Sequence, residues 1–248
     1  MLLCRKNYIN NNKVRYKIMG TIIGIGGGFD GEYGWQLAEK IIAKTGKKNP
    51  NYLLIPTTGY DFSNGDIAVF SKMGCDCEIL YLTHGYITEE FVDEKIRRAD
   101  IINVPGGNLK FCMDYWFRTG AVKYLKEAYE NGKILFGGSS GSMCWFRQGF
   151  DDCAPNGDFM FVDGCDIIPY NNVPHYEGAF WNSFNGYADK TPLSTIACEN
   201  DTAIVYEDGK YSLLISGKRP DARVWFFDAA DGYKRYDLTA HPEILEKL

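Results

Sequence analysis

The chain has 248 residues, a formal net charge of −5, 45% hydrophobic and 24% charged residues. That length can bury the core of one large domain or two small ones. The acidic balance, with no basic patch, argues against nucleic acid as a partner, and no apolar run approaches the length of a membrane span.

The first 18 residues differ from the rest. Residues 1–6 lack the long apolar core of a signal peptide, and residues 7–17 are polar and basic, with Asn10, Asn11 and Asn12 in a row. Met19 stands directly before an apolar run. Residues 1–18 therefore read as a disordered extension, or Met19 as the start, with residues 19–248 a single domain.

Residues 21–25 predict a short buried strand closing on Gly26-Gly27-Gly28. A helix pattern follows over about 33–44, with Leu37, Ile41 and Ile42 on one face. Apolar strands are predicted at 52–56, 77–82 and 99–104, with helices at 62–73 and 88–98 between them. The 99–104 strand closes on Pro105-Gly106-Gly107-Asn108, and residues 109–131 carry one or two helices, broken near Thr119-Gly120. A further strand from Ile134 runs into Gly137-Gly138-Ser139-Ser140-Gly141, after which residues 143–146 read as the opening of a helix. Beyond about residue 150 strand-like pieces dominate, at 159–162, 166–170, 203–206, 211–215 and 224–228, and only 177–187 reads as helical. Asp208-Gly209 is a hairpin signal.

This β-α alternation predicts an α/β fold: a three-layer, mostly parallel sheet flanked by helices, with antiparallel strands added in the C-terminal third. Right-handed crossovers would place the three glycine turns along one sheet edge, where ligands bind in such folds.

Gly137, Ser139 and Gly141 fit the G-x-S-x-G elbow, which sets a serine on a sharp strand-to-helix turn. A serine nucleophile needs a base. Of His84, His175 and His241, His175 lies just beyond an apolar strand and after the elbow. Acidic residues that could orient it are Asp151, Asp152, Glu199 and Asp201, and the residues alone leave that choice open. The backbone N–H of Ser140, and that of Gly107, are candidate oxyanion donors; Asn108 reads both as a site residue and as a helix cap. Gly24-Ile25-Gly26-Gly27-Gly28 fails the dinucleotide fingerprint, because Phe29 occupies its third glycine position. The eight cysteines are scattered, and Cys75-Asp76-Cys77 lacks zinc-site spacing. Reduced thiols in a cytoplasmic protein without metal or cofactor are the expectation.

Four blocks in order, Pro105-Gly106-Gly107-Asn108, Gly137-Gly138-Ser139-Ser140-Gly141-Ser142, Pro174-His175-Tyr176 and the segment from Glu199 to Val205, make the chain resemble the peptidase E family of serine peptidases. That family includes aspartyl dipeptidase and cyanophycinase. The resemblance covers about residues 20–228 and implies a flavodoxin-like, class I glutamine amidotransferase-like fold. It implies Ser139 as nucleophile, His175 as general base, Gly107 and Ser140 as oxyanion donors, and Glu199 as the acidic site residue with Asp152 as the alternative. Two departures stand out. Ser140 replaces the alanine usual after the family serine, and residues 177–187, with Phe180, Trp181 and Phe184, lack the charged run that follows the family histidine. The expected activity is hydrolysis of small peptides through an acyl-enzyme on Ser139. The alternative is a non-catalytic binding or regulatory protein with a degraded site. A glutaminase-type amidase would normally carry cysteine at the elbow. The 17 Tyr, 15 Phe and 5 Trp leave room for a homodimer interface.

Overall fold

In the computed structural model the described residues are 19–64 and 66–248, so the extension expected over residues 1–18 lies outside the described residues. β1 (Thr21–Ile25) is buried at every position. Ile23 and Ile25 pack with Leu37, Ala38 and Ile41 of α1 (Gly31–Lys44), whereas Ile22 enters the opposite core. A strand that feeds two cores is what a parallel sheet covered on both faces requires. The alternation continues through β2 (Asn51–Leu54), α2 (Ile67–Lys72), β3 (Asp76–Ile79), α3 (Glu89–Arg98), β4 (Ile101–Val104), α4 (Leu109–Arg118), α5 (Ala121–Glu130) and β5 (Ile134–Gly138). The first-half strands and helices match the sequence expectation closely, including the break at Thr119-Gly120. The helix expected over 62–73 begins only at Ile67.

The second half contains α6 (Ser140–Met143), β6 (Phe146–Asp151), β7 (Met160–Asp163), β8 (Ile168–Val173), α7 (Gly178–Trp181), β9 (Thr195–Cys198), β10 (Thr202–Glu207), β11 (Lys210–Ile215), β12 (Val224–Asp228) and β13 (Lys234–Asp237). Two sheets result. The first has seven strands in the order β11-β10-β1-β5-β4-β2-β3. Its five central and far-edge strands are parallel, and β10 and β11 extend it antiparallel through a turn in which Asp208 and Gly209 both have positive φ, 50° and 77°. The second has six strands in the order β13-β12-β9-β8-β6-β7, with β6, β8 and β9 parallel and the remaining pairs antiparallel.

The α/β class with C-terminal antiparallel strands is therefore observed, and the C-terminal region builds a sheet of its own as well as extending the first. Residues 143–146 do not open a longer helix. The helix stops at Met143, and Phe146 starts β6, because pairing with β7 and β8 overrides local preference. The stretch 177–187 forms one α-helical turn followed by 3-10 turns.

The second sheet lies against the first. Phe146, Ile168, Ile196, Val224 and Phe226 share one buried cluster with Ile22, Leu135 and Trp116. Its other face is filled by Phe150, Val173, Tyr176, Phe184 and Phe227. Each fully buried side chain of this size is worth roughly 1.5–3 kcal/mol, so the two sheets hold one another at a fixed offset. Among the described residues no helix is long and apolar enough to cross a membrane. The seven described cysteines are free, and burial pushes the Cys165 and Cys198 thiols up to about 12.

Candidate active site

β5 ends in the elbow. Ser139 sits at φ 57° and ψ −126°, a conformation that L residues rarely adopt. Its N–H donates to Ile25 O of β1 at 3.1 Å, and its carbonyl accepts from Ser142 N at 2.8 Å. The turn is tight enough that a Cβ at Gly141 would lie 1.8 Å from Val104 O, so only glycine fits there. Three elbow hydroxyls are thereby distinguished. Ser140 Oγ donates to Gly107 O at 2.7 Å, and Ser142 Oγ donates to Asn172 Oδ1 at 2.9 Å. Ser139 alone of the three faces the open cleft, and among the described residues nothing accepts from its hydroxyl.

The cleft brings Ser139 and His175 together, along with Gly107, Asp152, Glu177, Trp181, Asn200 and Arg219. His175 follows β8 of the second sheet and is tied to the first: its N–H donates to Gly26 O at 2.9 Å. The Gly26-Gly27-Gly28 turn folds over the imidazole. A Cβ at Gly27 would stand 2.2 Å from Asn200 Oδ1 and 2.5 Å from His175 Nδ1, and Gly27 has φ 145°. The Trp181 ring centroid lies 5.4 Å from that of His175.

A chain of side chains sets the imidazole tautomer. Arg219 donates to Glu177 Oε2, and Asn200 Nδ2 donates to Glu177 Oε1. A carboxylate only accepts, so the Asn200 amide must turn its NH2 toward Glu177 and its oxygen toward His175. Asn200 Oδ1 lies 2.6 Å from His175 Nδ1. Nδ1 must then carry the proton, which leaves the Nε2 lone pair free. This is the state that a general base requires.

The remaining expected residues fall as follows. Gly107 N and Ser140 N find no acceptor among the described residues, and both belong to residues held rigidly by the Ser140 to Gly107 bond. Asn108 caps α4, accepting from Phe111 N at 2.8 Å, and its own N–H donates to Thr58 O at 2.8 Å. Glu199 is not beside the imidazole. Its carboxylate accepts from Arg223 N and Trp225 Nε1, both at 3.1 Å, and stands 3.6 Å from Arg219. It braces the cation that braces Glu177. Asp152 lines the cleft without a bond to His175. Asp151 is buried and accepts from Leu109 N at 2.7 Å, and burial pushes its carboxyl up to about 6. Asp201 accepts from Phe29 N at 3.3 Å and so fixes the glycine turn.

Asn200, Glu177 and Arg219 lie outside the set of site residues read from the sequence. A search for a carboxylate passes over an amide standing between Glu199 and Asp201. The one available signal is that Glu177 is an acid two residues after His175.

The family model of peptidase family S51 matches residues 22–214, a span that includes the elbow, His175 and Asn200. A Bacillus subtilis protein named as an uncharacterized peptidase, YgaJ, is 28% identical over 163 residues, covering 64% of this chain and 70% of that protein. The crystal structure of a peptidase from an acI-B1 actinobacterium superimposes with a TM-score of 0.66 at 19% identity, covering 90% of this chain and 95% of that one. A Listeria monocytogenes structure whose name carries the words Peptidase E superimposes with a TM-score of 0.60 at 17% identity, covering 79% of this chain and 98% of that one. The two superpositions establish the shared fold. The family resemblance carried by the four sequence blocks is borne out, and the chain belongs to peptidase family S51.

Proposed function

We propose that the protein is a serine-type peptidase acting on small peptides, with Ser139 as nucleophile and His175 as general base. The observation that carries this reading is the tautomer chain. Arg219, Glu177 and Asn200 in series commit His175 Nδ1 to donate, which leaves Nε2 as an acceptor, and His175 lines the same cleft as Ser139, the one uncommitted hydroxyl of the elbow.

The chemistry follows from that arrangement. His175 Nε2 takes the Ser139 proton as Oγ attacks the substrate carbonyl carbon. Negative charge develops on the carbonyl oxygen, where the N–H groups of Gly107 and Ser140 receive it. The imidazolium so formed is stabilised through Nδ1–H by the Asn200 oxygen, the same role that an asparagine plays in the histidine pairs of some cysteine peptidases. His175 then protonates the departing amine, and the acyl-enzyme is hydrolysed by water activated at the same nitrogen. No acid touches the imidazole in this scheme. Glu177 acts one residue further out, by fixing which way the amide faces.

The test is hydrolysis of a dipeptide panel by wild type and Ser139→Ala. The variant is expected to lose activity by about 10⁴-fold or more, as removal of a triad nucleophile does. Hydrolysis by Ser139→Ala at the wild-type rate would contradict the assignment.

A further inference from the structure

A second pocket, of about 350 Å3, also reaches Ser139, and neither His175, Asn200 nor Trp181 lines it. Leu37 and Ile41 of α1, Phe70 of α2 and Phe136 of β5 make its wall apolar. Asp66 is the one charged side chain among its described lining residues, and Asn103 stands beside it.

Asp66 occupies the residue before α2 yet makes no capping bond to it. Its carboxylate turns inward, where Oδ2 accepts from Asn103 Nδ2 at 3.2 Å. No lysine or arginine forms an ion pair with it among the described residues. The residue as a whole is exposed, while desolvation of its carboxyl group raises its pKa. A carboxylate that lacks a cation thus sits, with Asn103 beside it, at the polar spot of a largely apolar pocket.

The two depressions that meet at Ser139 divide a substrate between them. This step rests on the reading of Ser139 and His175 given above. His175 must hand its proton to the departing amine, so the leaving half of the peptide belongs in the cleft beside His175. The acyl half is left to enter the pocket that ends at Asp66. We infer that this pocket binds the acyl half of the substrate through a protonated amine held on Asp66, with apolar carbons of the same residue against Leu37, Ile41 and Phe70. Two amines have that chemistry: the free α-ammonium of a peptide N-terminus and a side-chain ammonium on an aliphatic stem. The first makes the enzyme an aminopeptidase or dipeptidase, and the second gives it a preference for a basic residue.

Calorimetric binding to Ser139→Ala separates these cases without requiring turnover. The probes are lysine amide, norleucine amide and the N-acetyl derivative of each, titrated into Ser139→Ala and into Ser139→Ala with Asp66→Asn. An amine-bearing probe is expected to bind about tenfold to a hundredfold more tightly than its amine-free counterpart, the range of a charged hydrogen bond. Asp66→Asn, which removes the charge and keeps the side-chain shape, is expected to abolish that preference. Preference of norleucine amide over its N-acetyl derivative assigns the α-ammonium. Preference of N-acetyl-lysine amide over N-acetyl-norleucine amide assigns the side chain. Equal or undetectable binding of all four probes overturns the inference, as does an amine preference that survives Asp66→Asn. Absence of Ser139-dependent hydrolysis in the wild type would instead overturn the catalytic reading and leave a measured amine preference standing.

Discussion

Ser139 and His175 are held by opposite means. The seven-stranded sheet positions Ser139 with backbone: β5 runs straight into a left-handed residue, and Gly141 packs onto Val104 where no side chain fits. The six-stranded sheet delivers His175 with side chains, through Asn200, Glu177 and Arg219, which lie 25, 2 and 44 residues away from it in sequence. The proposed nucleophile is thus placed by backbone packed around residues 137–141, and the proposed base by side chains gathered from across the fold. Damage to the first should act through chain geometry, and damage to the second through proton placement.

The Gly27 turn is where the two means meet, and it carries the largest expected effect after loss of the nucleophile itself. Alanine at Gly27 would overlap Asn200 Oδ1 and the His175 ring, and displacement of a catalytic base costs about 10²–10⁴-fold. Gly27→Ala is expected to lower kcat about a thousandfold in a protein that still shows a wild-type circular dichroism spectrum. Wild-type kcat would show that the turn does not hold the base.

Next in size is the amide. Asn200→Ala frees the tautomer and is expected to cost about a hundredfold in kcat. Asn200→Asp sets a carboxylate against Glu177 and should be similarly impaired, whereas Asn200→Asp with Glu177→Gln restores a donor and acceptor in matching order. The double variant is expected to recover most of the loss, which a double-mutant cycle on kcat measures as coupling. Additive losses would break the chain of side chains.

Asp151 ties the second sheet to α4, since it stands at the end of β6 and accepts from the first N–H of α4, two residues after Gly107. Its native pKa is raised from 3.8 to about 6 by burial. The folded state therefore holds this proton more tightly than the unfolded chain. The stabilising contribution is full below pH 3.8, is lost between 3.8 and about 6, and is flat above. Asp151→Asn keeps the acceptor without the charge. Denaturant titrations should show the variant gaining about 2 kcal/mol on the wild type between pH 4 and pH 7, a two-unit shift discounted for a weaker bond to Leu109 N. A difference that does not change with pH would contradict the account.

The smallest effect belongs to Ser140. Its hydroxyl only steadies the Gly107 carbonyl, and alanine keeps the backbone N–H proposed to receive the oxyanion. Ser140→Ala is expected to lower kcat by about fivefold with KM unchanged, the worth of one neutral hydrogen bond.

The same contrast explains what the sequence discloses. Strands β1, β2, β4 and β5 are legible because each is an apolar run that ends at a glycine or a proline. The elbow is legible because its glycines recur at fixed spacing. β9 (Thr195–Cys198) runs into acidic Glu199 with no glycine or proline to mark its end, β13 (Lys234–Asp237) is mostly charged, and β6 lies where aromatic residues 145 and 146 fit a helix as well as a strand. His175 is legible as a histidine at a strand end. Its partner is not, since charge marks Glu199 and Asp201 while the fold turns Asn200, between them, toward the imidazole. Asp66 is equally silent in the sequence, because only the fold shows that it faces a pocket and not a helix N-terminus.

The central claim is that one elbow hydroxyl is activated by one histidine. Peptide mapping by mass spectrometry after fluorophosphonate treatment tests it directly, in wild type and in His175→Ala. The account predicts a stoichiometric adduct on Ser139 in the wild type and labelling at least about a hundredfold slower in His175→Ala. An adduct on Ser140 or Ser142, or equal labelling rates in the two proteins, would contradict it.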